Sequence, residues 1–157
     1  MKKLIACFLL VFGLTAAAAS AGPLPANVQT ITPQEIASKI ETTHQPFILF
    51  VYASWCPYCK KQIKEMNAAL TGVDPITLPP IIGVSIDSNP DAYSAFLTHQ
   101  GKMPWDSRLY MGEASLEAIL SKYGSSFDGP IPYLAVIKDQ EVVKEFSGLT
   151  DPADLRF

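Results

Sequence analysis

The sequence has few of the residues that bind metals or cross-link a chain. Its 157 residues include three cysteines and two histidines. A structural zinc site needs four such ligands, usually as two closely spaced pairs. His44 and His99 stand far apart, and Cys56 and Cys59 form the one close cysteine pair. We therefore expect no structural zinc site and assign no residue as a metal ligand. A disulfide-stapled mini-domain is also excluded, because a chain of this length can bury an adequate core without staples.

The chain also lacks a run of apolar residues long enough to span a membrane comfortably. Its longest run, residues 4–14, follows Lys2 and Lys3 and precedes Ala19-Ser20-Ala21, an A-x-A cleavage site. This pattern predicts a signal peptide over residues 1–21, which contains Cys7. We expect cleavage before Gly22 and export to the periplasm of one domain, residues 22–157, without stable membrane insertion.

An excess of positive charge is missing as well. Loss of Lys2 and Lys3 takes the formal net charge from −3 to −5. A negative chain is poorly suited to bind nucleic acid or an anionic membrane surface. We expect neither as a partner.

The pattern that is present centres on Trp55-Cys56-Pro57-Tyr58-Cys59. The apolar run 47–52 before it predicts a buried strand, and Ile63, Met66 and Leu70 after it have the spacing of one helix face. Pro57 suits the first helical turn, so Cys56 lies at the helix N-terminus, where unpaired N–H groups stabilise a thiolate. Cys59 lies one turn later, within reach for a disulfide. The pattern predicts Cys56 as the nucleophile and Cys59 as its resolving partner.

The other segments alternate between helix and strand. Thr32-Pro33-Gln34-Glu35 has the form of a capping box and predicts a helix to about Thr43. The remaining predicted elements are a buried strand over 81–87, a helix from Asn89-Pro90 to about His99, a helix over 113–123, strands over 133–138 and 141–146 joined by a turn at Asp139-Gln140, and one or two helical turns within 149–157. Alternation followed by a hairpin indicates an α/β fold with a mixed central sheet flanked by helices.

This pattern resembles the thioredoxin superfamily over nearly all of the chain after the signal. Three features carry the resemblance: the strand, Trp55-Cys56-x-x-Cys59 and helix; Ile131-Pro132 directly before a hairpin; and Gly148 after its second strand. The resemblance implies a thioredoxin fold with an inserted helical segment before the proline. It also implies that Pro132 is cis and lines the site.

Within the superfamily the long segment before Pro132 resembles the tryparedoxin and nucleoredoxin group, close to exported TlpA/ResA-type oxidoreductases. Three positions depart from those patterns. The dipeptide Pro57-Tyr58 is typical of glutaredoxins. Phe50 stands where thioredoxins carry a buried aspartate, and Gln62 stands where ResA-type proteins carry a glutamate. We expect that no buried acid is available to the sulfurs.

The resemblance implies an exported thiol–disulfide oxidoreductase without a cofactor, catalysed by Cys56 and Cys59. Trp55, Pro57, Tyr58, Ile131 and Pro132 are the candidate substrate-binding residues, although Trp55 could instead shield the sulfurs and Tyr58 could have no special role. Protein thiols and disulfides are the expected substrates of a monomer, and a membrane electron donor or acceptor is a candidate partner. Two alternatives stay open: a copper chaperone that binds through both thiolates, and a redox-inactive assembly or adhesion domain.

Overall fold

The structure, a computed structural model, describes residues 23–112 and 114–156. Within these ranges six strands form one sheet: β1 (Thr30–Ile31), β2 (Phe47–Tyr52), β3 (Ile81–Ser85), β4 (Asp106–Tyr110), β5 (Tyr133–Lys138) and β6 (Glu141–Ser147). The helices are α1 (Pro33–Thr42), α2 (Pro57–Thr71), α3 (Pro90–Gln100) and α4 (Leu116–Leu120), with 3-10 turns at Ser121–Tyr123 and Pro152–Leu155. The predicted signal peptide, Cys7 and the cleavage site before Gly22 lie outside the described residues.

The strand order is β1-β4-β3-β2-β5-β6. Strands β1, β4, β3 and β2 run parallel to one another, whereas β5 is antiparallel to both β2 and β6. This mixed sheet confirms the predicted fold class.

The sheet is covered on both faces, which explains why all six residues of β2 are buried. Ile48, Phe50 and Tyr52 point to the core under α2 and α3, and the alternate residues of β2 point to the core under α1 and α4. The two cysteines belong to the first core. None of the helices in the described ranges has the length and apolarity needed to cross a membrane.

Two sequence interpretations of this framework were wrong. No strand was expected over 106–110, yet β4 lies between β3 and β1; only Leu109 is fully buried there, so its polar neighbours hide the pattern. The helix expected over 113–123 is α-helical only at Leu116–Leu120 before it tightens into the 3-10 turn, and Glu113 lies outside the described residues.

The hairpin after the inserted segment forms as predicted. Asp139 and Gln140 both have positive φ angles, 49° and 69°, which is the conformation of a two-residue hairpin turn whose twist matches that of the strands. The hairpin places the start of β5 beside the end of β2, next to the cysteine-bearing turn.

Candidate active site

The cysteines lie where β2 turns into α2. Cys56 donates its backbone N–H to the carbonyl of Ala53 at 3.2 Å, which closes a tight turn over residues 53–56. Cys56 is the N-cap of α2, with extended backbone angles, and Pro57 occupies the first helical turn. This is the position that the sequence predicted for the nucleophile.

The two sulfurs form a disulfide across the first turn of α2, with the Cα atoms 5.2 Å apart. The Cys59 backbone N–H also points at Cys56 Sγ, at 3.1 Å. The first turn contains no acidic residue. In the reduced state, an N–H donor and the positive end of the helix dipole would thus act on the Cys56 sulfur without a competing carboxylate on the same turn.

The two cysteines differ only slightly in burial. Cys59 is fully buried, and Cys56 is 4% exposed rather than freely exposed. The aromatic side chains on either side, Trp55 and Tyr58, are each 64% exposed. Access to the disulfide is therefore narrow and bordered by two exposed rings.

Ile131 and Pro132 form the opposite wall of the site. The peptide bond between them is cis, as predicted. The Ile131 carbonyl oxygen lies 3.9 Å from Cys56 Sγ. Gly148, at φ 89°, donates its N–H to the Pro132 carbonyl at 2.8 Å and so ties this wall to the end of β6. The fold therefore brings Ile131 against the Cys56 sulfur, although the two residues are 75 positions apart in the chain.

The next residue, Tyr133, takes part in a separate hydrogen-bond network with Ser125 and Glu145. Its hydroxyl contacts Ser125 Oγ at 2.6 Å and donates to the Glu145 carboxylate at 2.7 Å. Burial raises the pKa of Tyr133, so the phenol is neutral and serves as a donor. No group of three or more His, Cys, Asp or Glu side chains that could hold a metal ion occurs among residues 23–112 and 114–156.

The two positions at which related proteins carry acids are filled by core residues. Phe50 stacks on Tyr52 and meets Trp105 edge-on. Gln62 is fully buried and forms a two-way pair with Thr150, donating Nε2–H to its carbonyl at 2.9 Å and accepting its N–H at 2.8 Å. Gln62 thereby joins α2 to the segment after β6.

A buried acid that the sequence analysis missed lies elsewhere, beyond the end of β3. Asp87 is 6% exposed and accepts two hydrogen bonds from Ser54, from the backbone N–H at 2.8 Å and from Oγ at 2.6 Å. Asp87 contacts the turn before Cys56 and not the sulfurs, so the expectation that no buried acid is available to the sulfurs stays a prediction. A carboxylate at the end of the predicted buried strand 81–87 was the available signal, but its partner, 33 positions earlier, could not be identified from local patterns.

Two buried tyrosines lie in the same core as the cysteines. The hydroxyls of Tyr52 and Tyr93 are 2.9 Å apart. Burial raises the pKa of both phenols, and the negative charge of Asp87 adds to the rise. These neutral hydroxyls satisfy each other inside an otherwise apolar core.

Comparison with known proteins agrees with this geometry. The model of the AhpC/TSA family matches residues 25–146. The chain belongs to the AhpC/TSA family. No curated protein matches the chain.

Solved structures show the same fold at low sequence identity. StoA from Bacillus subtilis is 20% identical, with a TM-score of 0.52 over 74% of this chain and 83% of its own. A thiol:disulfide interchange protein of the thioredoxin family from Chlorobium tepidum is 19% identical, with a TM-score of 0.53 over 75% and 78%. A DsbF homologue from Corynebacterium diphtheriae is 15% identical, with a TM-score of 0.53 over 74% and 71%. The thioredoxin fold predicted from the sequence is confirmed.

The predicted enzyme class, a thioredoxin-like thiol–disulfide oxidoreductase, is confirmed at the level of the family and of the Cys56–Cys59 pair.

Proposed function

We propose that the protein is an exported thiol–disulfide oxidoreductase that exchanges disulfides with protein substrates through Cys56 and Cys59. The observation that carries this proposal is the disulfide at the N-terminus of α2, with Cys56 as the cap and Cys59 buried behind it. A structural disulfide that closes so small a loop would stabilise the fold little. A role in thiol–disulfide exchange therefore explains the Cys56–Cys59 pair better than a role in stability.

In the reducing direction, the Cys56 thiolate attacks one sulfur of a substrate disulfide. The substrate S–S bond breaks, a mixed disulfide forms, and one substrate thiolate leaves and takes a proton from solvent. Cys59 then loses its proton and attacks Cys56 Sγ, which releases the second substrate thiolate. Two electrons pass from the cysteine pair to the substrate, and the disulfide described here is the product. In the oxidising direction every step runs backwards, and a substrate dithiol reduces this disulfide.

The burial pattern supports Cys56 as the residue that meets substrate. Cys56 keeps a small exposed fraction, whereas Cys59 has none. The exposed rings of Trp55 and Tyr58 lie beside this opening, and the backbone of Ile131 and Pro132 borders it on the other side. We assign Trp55, Pro57, Tyr58, Ile131 and Pro132 to docking of an extended substrate segment that has apolar side chains.

The environment of Cys56 also bears on its redox tendency. The Cys59 N–H and the helix terminus favour a thiolate, so we expect reduced Cys56 to have a pKa below the free value of about 8.5. A stabilised thiolate favours the reduced form and raises the reduction potential above that of thioredoxin, about −270 mV. The direction in the cell then depends on the available donor or acceptor, and thiol trapping of Cys56 and Cys59 would report it. The signal peptide predicted over residues 1–21 supports export to the periplasm.

The proposal is tested with insulin as a protein disulfide and dithiothreitol as electron donor. The wild-type protein should accelerate insulin reduction, Cys56→Ser should not, and Cys59→Ser should accumulate a mixed disulfide that is visible on a non-reducing gel. Cu(I) titration of the reduced protein tests the chaperone alternative in parallel. A wild-type protein that binds Cu(I) tightly but leaves insulin oxidised would overturn the proposal, as would acid-pH alkylation that labels Cys59 before Cys56.

A further inference from the structure

We infer that Asp87 is a positioning residue that acts through Ser54 to hold the turn that presents Cys56 to a substrate disulfide. This inference rests on the proposed function and adds to it a residue outside the cysteine motif. Asp87 does not touch the sulfurs in any described contact. Its effect reaches them through the backbone.

The hydrogen bonds of Asp87 are concentrated on one turn. One carboxylate oxygen accepts from the Ser54 N–H and from Ser85 Oγ, and the other accepts from Ser54 Oγ. A buried carboxylate is costly unless such donors satisfy it. Here the donors come from the end of β3 and from the turn itself, so the carboxylate joins the two.

Ser54 is the residue through which this connection can control Cys56. The turn is closed by the bond from the Cys56 N–H to the Ala53 carbonyl, and Ser54 is the first of the two residues inside it. The other inner residue, Trp55, is 64% exposed, so burial does not fix that corner. Among the hydrogen bonds of the described residues, the two from Ser54 to Asp87 anchor the inside of the turn.

The position of Cys56 Sγ depends on this anchor. The sulfur must meet the Cys59 N–H, at 3.1 Å, and the Ile131 carbonyl, at 3.9 Å, while facing the narrow opening. A turn released from Asp87 can rotate Cys56 out of this arrangement. The thiolate would then lose part of its stabilisation, and attack on a substrate disulfide would become slower because alignment is lost.

The test compares Asp87→Asn with Asp87→Ala. Both variants remove the negative charge. Asparagine can still accept from the Ser54 N–H and Ser85 Oγ through Oδ1 and can donate Nδ2–H to Ser54 Oγ, so it keeps the anchor, whereas alanine keeps none of it. Any difference between the two variants therefore reports the hydrogen bonds and not the charge. Asp74→Ala removes an exposed carboxylate beyond the far end of α2 and is the control for net charge.

The purified proteins are assayed for insulin reduction, for the pKa of reduced Cys56 by thiolate absorbance, and for thermal unfolding. Asp87→Asn and Asp74→Ala should stay within about twofold of wild type, whereas Asp87→Ala should be roughly tenfold slower. The Cys56 pKa should be higher in Asp87→Ala than in Asp87→Asn, a change that a loss of stability alone would not produce. Equal rates and equal pKa values in the two Asp87 variants would overturn the inference.

Ser54→Ala covers the case in which Asp87→Ala does not fold. It deletes only the Oγ bond and keeps the N–H bond to Asp87, so we expect a loss of roughly threefold in rate, smaller than that of the full anchor. A Ser54→Ala protein with the wild-type rate and Cys56 pKa would then contradict the inference. Failure of wild-type protein to reduce insulin would instead contradict the proposed function, and the pKa comparison would still test the anchor.

Discussion

Helices α1 and α2 both begin with a proline, but their N-termini are satisfied by different chemistry. Thr32 and Glu35 form a complete capping box at α1, in which the Glu35 carboxylate accepts the Thr32 N–H at 2.7 Å. At α2 the cap is Cys56, and the first turn holds no acid. An oxygen cap and a carboxylate neutralise the N-terminus of α1 for stability. At α2 the same positive terminus is left to act on a sulfur.

The functional difference between the two helix N-termini should be lost most completely if the cap of α2 is changed from sulfur to oxygen. Serine is among the best N-cap residues, so Cys56→Ser should leave the helix intact. We expect turnover to be lost, while the free energy of unfolding stays within about 1 kcal/mol of that of the reduced wild-type protein. Insulin reduction and urea unfolding under dithiothreitol measure the two effects. A large loss of stability would show that the sulfur is needed for the fold.

A carboxylate placed farther along α2 tests how far the environment of the sulfurs extends. In Gln62→Glu the ionised side chain cannot donate to the Thr150 carbonyl, so we expect a cost of about 1–3 kcal/mol in urea unfolding. The new charge should also raise the pKa of Cys56 and shift its equilibrium with glutathione. Gln62→Met removes both hydrogen bonds to Thr150 without adding charge and is the control for the effect of the charge on the Cys56 pKa. A Cys56 pKa that is the same in both variants would mean that position 62 does not face the sulfurs.

The cap of α1 should matter for stability alone. Thr32→Ala removes the Oγ that accepts the Glu35 N–H and should cost about 1 kcal/mol in thermal or urea unfolding. The hydrogen bond from the Thr32 N–H lowers the pKa of the Glu35 carboxylate. The stability that the ionised carboxylate contributes is therefore fully present above the ordinary glutamate pKa of about 4.3, and it is lost as the pH falls through the lower pKa of the folded state. The destabilisation by Glu35→Gln should therefore shrink in acid. Altered insulin reduction by Thr32→Ala at neutral pH would contradict the separation of roles.

The smallest effect comes from giving α2 an acid in its first turn, as α1 has. Tyr58→Glu should raise the pKa of reduced Cys56 relative to Tyr58→Gln, because the carboxylate competes for the positive helix terminus. An interaction of 0.3–1 kcal/mol corresponds to about half a pKa unit. Thiolate absorbance across a pH series measures it. Identical curves for the two variants would show that the helix terminus does not govern the sulfur.

Features that depend on contacts between neighbours in the chain could be predicted from the sequence, whereas features that depend on distant contacts could not. The Cys56 cap, the strand before it and the Asp139-Gln140 turn depend on neighbours in the chain, and local patterns were sufficient for them. Strand β4 is stabilised by pairing with β3 and β1. Its own residues are mostly polar and lack the apolar pattern that would predict a strand. Asp87 and Gln62 find their partners 33 and 88 positions away. The sequence shows that these residues are polar but not which backbone groups they satisfy.

The short segment after β6 has a mechanical consequence. Gly148 is bonded to the Pro132 carbonyl, and Thr150, two residues later, is bonded twice to Gln62 of α2. The three residues from Gly148 to Thr150 therefore link the Ile131–Pro132 wall to α2, the helix that carries the cysteines. A force that a bound partner exerts on Pro132 would therefore be transmitted through Gly148 and Thr150 to α2.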